Sequence, residues 1–432
     1  MTPSARISAA SEVLADIETR RRPASDALKD WGLSHRFAGS GDRAAIAALV
    51  HDALRRRASA AFLMGAATPR AVLLGTLKLA RGLDVDAIDR LCSGERFAPE
   101  PLTEEERRAL SGALGDDVPA HVAGDYPEWL DAAFAGAFGE GRAAELSALA
   151  RRAPVDLRVN TLKADRDAVL AEIAHLDVEP TPHSAVGLRI RPREDGRAPS
   201  VQVEPAFIKG KIEIQDEGSQ LVSQLLGIDP GMQVVDLCAG GGGKALAAAA
   251  MMDNRGQIFA TDNDKRRLAP IFERLDRAGV RNVQVRAPKS RDDEPLADLA
   301  GRIDLVIVDA PCTGTGTWRR NPDAKWRVRP SSLDDRTKDQ ALVLDRAARL
   351  VKKGGRIAYI TCSLLPAEND DAVRGFMERH DGFEIVDPET VARDGGLEAL
   401  GRFRSPTGAG LLLSPFRTNT DGFFLAQLRR VR

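Results

Sequence analysis

Val234-Val235-Asp236-Leu237-Cys238-Ala239-Gly240-Gly241-Gly242-Gly243-Lys244 is an apolar strand that runs straight into a glycine turn. Residues 244–252 then read as a helix, and Gln257-Ile258-Phe259-Ala260 as a second strand. Parallel strands need a crossover of this length, usually helical and right-handed. Leu305-Val306-Ile307-Val308 and Arg356-Ile357-Ala358-Tyr359-Ile360 are further strands, hydrophobic nearly throughout, as expected in a sheet covered on both faces. Residues 216–432 are therefore expected to form a doubly wound, Rossmann-like α/β domain.

Upstream of this domain the texture changes twice. Val155-Asp156-Leu157-Arg158-Val159-Asn160 alternates apolar and polar residues like a half-buried strand, residues 165–176 are helix-like, and Lys211-Ile212-Glu213-Ile214 alternates again. A small α+β module over 141–215 is the reading, with a capped helix resuming at 216–226. Residues 5–140 are rich in Ala, Leu and Arg with helical periodicity. Ile7, Val13, Leu14 and Ile17 share one face, and Ile46, Leu49, Val50 and Leu54 another. This predicts an all-α domain over 1–140, in which Gly41-Asp42-Arg43 forms a turn and cap before a helix at 44–57.

A chain of 432 residues exceeds one ordinary core, so two or three domains are expected. No stretch approaches the roughly 18–20 apolar residues that cross a bilayer, and the amino terminus shows no secretory pattern. No membrane partner and a cytoplasmic location are expected. Cys92, Cys238, Cys312 and Cys362 lie far apart without a Cys-x-x-Cys pair, which argues for reduced thiols and against a metal site. The net charge of −1 gives no global sign of nucleic-acid binding, so any such affinity must be local.

The glycine turn sits at the carboxyl end of a strand, where open α/β sheets hold ligands beside a helix N-terminus. Asp262 ends the next strand, a position from which a carboxylate reaches ribose hydroxyls. A nucleoside ligand is implied, although a glycine run can also be no more than a left-handed turn. A phosphate-binding P-loop does not fit, because Cys238 takes the first glycine place and Ala245 the hydroxyl place. Gly240, Gly242 and Ala245 satisfy the dinucleotide fingerprint formally, but the cysteines downstream have no role in hydride transfer.

Those cysteines follow strand ends. Asp309-Ala310-Pro311-Cys312-Thr313-Gly314-Thr315-Gly316 succeeds the strand at 305–308, and Thr361-Cys362-Ser363 the strand at 356–360. Taken singly, each thiol reads as an ordinary buried cysteine. Together they fall on the rim that carries the glycine turn. Next comes a basic, indole-bearing run containing Trp318, Arg319, Arg320, Lys325, Trp326 and Arg327. Such a run can neutralise phosphates and stack on an unpaired base, or be merely a solvated loop. Arg55-Arg56-Arg57 and Arg151-Arg152 could extend it.

These motifs together resemble the Sun/Nop family of RNA cytosine-5 methyltransferases over nearly the whole chain. Residues 236–244, 309–316 and 361–363 look like the family's cofactor, proline-cysteine and threonine-cysteine-serine motifs. Outlying matches are Arg158-Val159-Asn160, Gln215-Asp216-Glu217-Gly218-Ser219-Gln220 and Asp421-Gly422-Phe423-Phe424. The resemblance implies an S-adenosylmethionine-dependent, Rossmann-like methyltransferase that forms 5-methylcytosine. Its cofactor would lie on Cys238, Ala239, Gly240, Gly241, Gly242, Gly243, Lys244 and Asp262, with Asp309 between cofactor and cytosine. Cys362 would add to C6, Cys312 would assist breakdown of that adduct, and Asp309 and Lys244 would complete the catalytic set. Cytosine C5 is a poor nucleophile, and thiolate addition at C6 makes it an enamine carbon able to attack a methyl donor. Residues 1–140 resemble a NusB-type RNA-binding domain. A monomer acting on ribosomal RNA, single-stranded at an extruded base, is implied.

The chain departs from that family in two places. Gly240-Gly241 stands where Ala-Pro is usual, which loosens the loop by roughly 0.5–1 kcal/mol per glycine. The third strand lacks the Asp that binds adenine, a loss of about 1 kcal/mol unless Asp292 or Asp293 substitutes. Three rivals follow: an RNA-binding assembly protein with a decayed site, a transfer-RNA cytosine-5 methyltransferase, and methylation at an exocyclic nitrogen.

Overall fold

The computed structural model describes residues 1–115, 117–192, 199–290 and 293–432. The chain divides into two compact units. One comprises Met1–Arg152, Pro192 and Trp318–Val328; the other comprises Ala153–Arg191, Pro199–Thr317 and Arg329–Arg432.

The first unit is helical. Thr2 and Thr68 each cap a helix whose first residue is proline, Pro3–Arg20 and Pro69–Leu79; the hydroxyl satisfies an orphan N–H and the proline ring presets the turn. Ile7, Val13, Leu14, Ile17, Ile46, Val50 and Leu54 are buried in one core, with Leu49 packed at its edge. The third helix is Ser40–Arg55, so the residues read as its preceding turn form its first turn, and it stops two residues before Arg57. Asp42 accepts from the Met1 ammonium at 3.2 Å and Arg6 Nε at 2.9 Å, and an acid in the first turn also suits the helix dipole. Among the described residues no single helix is long and apolar enough to cross a membrane.

The second unit holds two sheets. β1 (Val155–Val159), β2 (Val178–Pro180), β3 (Gly187–Ile190) and β4 (Ile212–Ile214) pair antiparallel in the order β2-β3-β1-β4. The expected alternation of β1 is not a solvent face. Asp156 and Arg158 are buried, because Asp156 accepts from Nε and Nη2 of Arg189 (2.7 and 2.8 Å) and Arg158 donates to Gln215 (2.6 Å). Buried charges of this kind persist only when paired. Asp165 and Asp216 cap helices Arg166–Glu172 and Glu217–Gln224.

The larger sheet contains β5 (Gln233–Asp236), β6 (Gln257–Ala260), β7 (Val283–Val285), β8 (Ile303–Asp309), β9 (Val351–Thr361), β10 (Phe383–Ile385), β11 (Leu411–Leu413) and β12 (Phe423–Arg430). Its order is β10-β12-β9-β8-β5-β6-β7, with β11 joined to β12. β7, β6, β5, β8 and β9 are parallel, whereas β12 runs antiparallel to β9. From β5 the chain winds outward to β6 and β7, then returns to β8 on the other flank. The crevice between the carboxyl ends of β5 and β8 is therefore the switch point at which such sheets bind ligands.

Candidate active site

At the end of β5, Asp236 is buried, and neither carboxylate oxygen has a hydrogen-bond partner. Burial, then the charge of Asp309, pushes its carboxyl up to about 7, against the pull of Lys244. The chain next turns through Gly240 (φ 49°) and Gly242 (φ 82°) before helix Gly243–Met251. A Cβ on Gly242 would lie 2.6 Å from Ile271 Cγ1, so both backbone sign and space demand glycine there. The loop is braced from outside: Gly240 N donates to Asp262 at 3.0 Å, and Arg274 donates to the Gly241 carbonyl at 2.6 Å. Asp262, buried, also accepts from Asp264 N at 2.9 Å. Burial raises the thiol pKa of Cys238, and Ala239 N is tied to Thr261 O at 2.9 Å.

The second element of the site is an ion pair. Lys244, buried in the first turn of that helix, donates to Asp309 Oδ2 at 2.6 Å, and Asp309, the last residue of β8, is about one-third exposed on the rim. Three residues on, Cys312 Sγ lies 3.4 Å from Cys362 Sγ. The contact with Cys362 comes first and burial second in raising the Cys312 thiol pKa well above its ordinary value.

Sequence reasoning did not find what holds the two thiol loops. Glu368, wholly buried, accepts from Thr313 N (2.7 Å), Thr313 Oγ1 (2.5 Å) and Gln340 Nε2 (3.1 Å). Asn369 accepts from Thr361 Oγ1 at 2.6 Å and donates to Ser363 O at 2.9 Å. Gly316 N donates to Cys362 O at 2.9 Å, and Gly422 N to Gly316 O at 2.8 Å. A Cβ on Gly316 would strike the Gly422 carbonyl at 2.2 Å. The Asp421-Gly422-Phe423 match is thus a brace under the cysteine loop, and Asp216 in turn accepts from Asp421 N at 3.0 Å. In the sequence, Pro366-Ala367-Glu368-Asn369 shows only an acid and an amide near the second thiol.

The basic run after Cys312 belongs to the helical unit. Trp318, Arg319 and Lys325 are buried in the helical unit, contrary to the expectation of an RNA-facing surface. Trp318 packs edge-on against Phe134 at 6.0 Å; Lys325 Nζ donates to the carbonyls of Arg55 (2.9 Å) and Asp125 (2.7 Å); Trp326 Nε1 donates to Leu54 O (2.6 Å). Indoles and aliphatic stems filled a core, and burial pushes Lys325 down to about 7. Arg327 is exposed and pairs with Asp323 at 2.9 Å, and Arg320 is half-buried. After β7 stands Arg286, whose guanidinium lies 4.5 Å from the Phe259 ring centre and pairs with Asp298 at 2.6 Å. Asp293 accepts from Lys289 N at 2.7 Å, and Asp292 lies outside the described residues. Among the described residues no cluster of His, Cys, Asp and Glu is arranged to hold a metal ion.

Parallel sheet, glycine turn at the switch point and strand-end acids define the class of S-adenosylmethionine-dependent methyltransferases. The site fits that cofactor: the orphaned acceptor Asp236 calls for a cationic or N–H donor such as its α-ammonium. Within that class, the chain belongs to the 16S rRNA methyltransferase RsmB/F family, whose model matches residues 223–429, and an RsmF/B-like ferredoxin-like domain model matches residues 126–194. It is 33% identical over 374 residues to the ribosomal RNA small subunit methyltransferase B of Sodalis glossinidius, covering 83% of this chain and 77% of that protein. Against the probable ribosomal RNA small subunit methyltransferase B of Synechocystis it is 31% identical over 313 residues, covering 71% and 67%. The chain thus aligns with two thirds to three quarters of these relatives' length. Among solved structures, a methyltransferase homolog protein from Pyrococcus horikoshii superposes with a TM-score of 0.59 at 25% identity, covering 73% of this chain and 100% of that one.

Proposed function

We propose that this chain methylates carbon 5 of a cytosine in ribosomal RNA, with Cys362 as nucleophile and Cys312 as the group that completes turnover. The observation that carries the reading is the 3.4 Å separation of the two sulfurs, on the rim that also bears Asp309 and Lys244. S-adenosylmethionine, when bound, supplies an electrophilic methyl group. Residues 238–244 and Asp262 would hold it, with Asp236 receiving its ammonium. Cys362, as thiolate, adds to C6 and leaves C5 electron-rich; Asp309, fixed by Lys244, accepts a hydrogen bond from the N4 amino group. Once C5 is methylated, its proton passes to a solvent base, the C6–Sγ bond breaks and Cys362 leaves as thiolate, a breakdown that Cys312 assists.

The base must leave its stack for a sulfur to reach C6, so the target is single-stranded or transiently opened. Residues 1–140 are read as a NusB-like RNA-binding domain, and the chain as a cytoplasmic monomer. The test uses the full chain, cytosine-containing ribosomal RNA and methyl-labelled cofactor. Label in 5-methylcytosine, a denaturation-resistant protein–RNA species in Cys312→Ala, and none in Cys362→Ala are expected. An adduct that persists without Cys362 would reverse the two roles; label found only in an exocyclic methylamine would end the covalent mechanism.

A further inference from the structure

The helical unit contains a cleft of about 770 Å³ that the methyl-transfer reading leaves unused. Among the described residues, Arg55, Arg56, Arg81, Arg151 and Arg152 line it, together with the carboxylate of Asp52. Asp52 is buried and shared three ways, with Arg81 at 2.7 Å, Arg152 at 2.9 Å and Arg55 at 3.5 Å. Arg56 reaches Asp125 at 3.2 Å, whose oxygens also accept from Ser59 N and Oγ. Arg151 stands exposed at the rim.

Among the described residues, five guanidiniums thus answer to two carboxylates. Three helices, Ser40–Arg55, Pro69–Leu79 and Arg142–Leu149, end near these arginines. Their dipoles contribute about half a negative charge each, which leaves a net positive balance of more than one charge among the described residues. Burial holds Arg55 down to about 10, still cationic at neutral pH, and its Nε is buried without a hydrogen-bond partner. Crowded cations repel unless an anion completes them. Planar guanidiniums presented from three directions match the oxygens of a phosphate better than the flat, two-oxygen carboxylate of an acidic peptide.

We propose that this arginine cleft is a binding site for RNA backbone phosphates, used to hold the substrate of the methyltransferase. The inference rests on RNA being the substrate. Asp52 is then a positioning residue that aligns Arg81 and Arg152 while no phosphate is present.

The experiment is fluorescence anisotropy of the full-length protein with a fluorescein-labelled 20-nucleotide oligouridylate, titrated from 50 to 300 mM NaCl. Arg81→Gln/Arg152→Gln is expected to bind roughly 25-fold more weakly at 0.1 M salt and to flatten the salt slope by about 1.4, at ~0.7 per phosphate contact. Asp52→Asn is expected to bind RNA more tightly even where it melts lower, an opposition of sign that a purely structural cluster would not produce. Unchanged affinity and slope in the double variant would overturn the proposal. So would displacement of the oligonucleotide by poly-L-glutamate at equal charge, which would assign the cleft to an acidic protein. Methyl incorporation measured on the same preparations separates the two readings. RNA binding through these arginines without 5-methylcytosine refutes the catalytic role alone, whereas methylation with unchanged KM in the double variant refutes the cleft alone.

Discussion

Two segments only six residues apart in the sequence, the Cys312 loop and Trp318–Val328, have opposite fates. The first lies at a strand end of the α/β unit with its thiol against another thiol; the second fills the helical unit with its indoles and a lysine. Both look functional in composition. What separates them is the source of the expectation: a strand end in a parallel sheet is a topological address, whereas a mixture of Trp, Arg and Lys suits an RNA surface and a helix-packed anchor equally well.

The contrast can be broken first at Trp318. Its replacement by alanine should cost about 3–5 kcal/mol of stability in the helical unit through the cavity left under Phe134, read by denaturant unfolding. A surface residue would cost almost nothing, so an unchanged midpoint would restore Trp318 to the RNA surface. On the other segment, Asp309→Asn should slow methyl transfer about 100-fold, because cytosine loses an acceptor, and should also lower the melting temperature, because buried Lys244 loses its counter-charge. A loss of stability without loss of rate would make the ion pair structural.

Asp236 sharpens the same comparison through pH. Its carboxyl is raised to about 7, so between the ordinary carboxylate range and that value the folded chain holds a proton that the unfolded chain has released. That contribution is complete below about pH 4 and is lost as pH rises toward 7. Asp236→Asn lacks this dependence. The variant should melt higher than the parent at pH 8, with the gap closing toward pH 4, and should bind S-adenosylmethionine more weakly by calorimetry. A constant gap across that range would contradict the assignment. The smallest effect is expected at Arg327, exposed and paired with Asp323, four residues before it. Arg327→Ala should shift stability by no more than about 0.5 kcal/mol. A drop in RNA affinity beyond about fivefold would return this end of the segment to the RNA surface.

The α/β architecture was readable because each of its signals is short-range. β5, the glycine turn and its helix are contiguous, and β8 and β9 announce themselves by apolar runs. The helical faces at Ile7 to Ile17 and Ile46 to Leu54 were readable for the same reason. Glu368 was not, since an acid beside a proline reads as a surface turn until Thr313, 55 residues earlier, is brought against it. The charges of Asp156 and Arg158 likewise looked like a wet strand face until partners at Arg189 and Gln215 buried them.

By itself, then, the sequence determined which residues end strands and which line a helix face, because periodicity and turn chemistry act within a few residues. Tertiary structure alone decided that Cys312 and Cys362, 50 residues apart, meet sulfur to sulfur. It also decided that Lys325 is spent on the carbonyl of Arg55, 270 residues away, rather than on a phosphate. Burial and long-range pairing depend on which surfaces the whole chain brings together, and no local pattern encodes that.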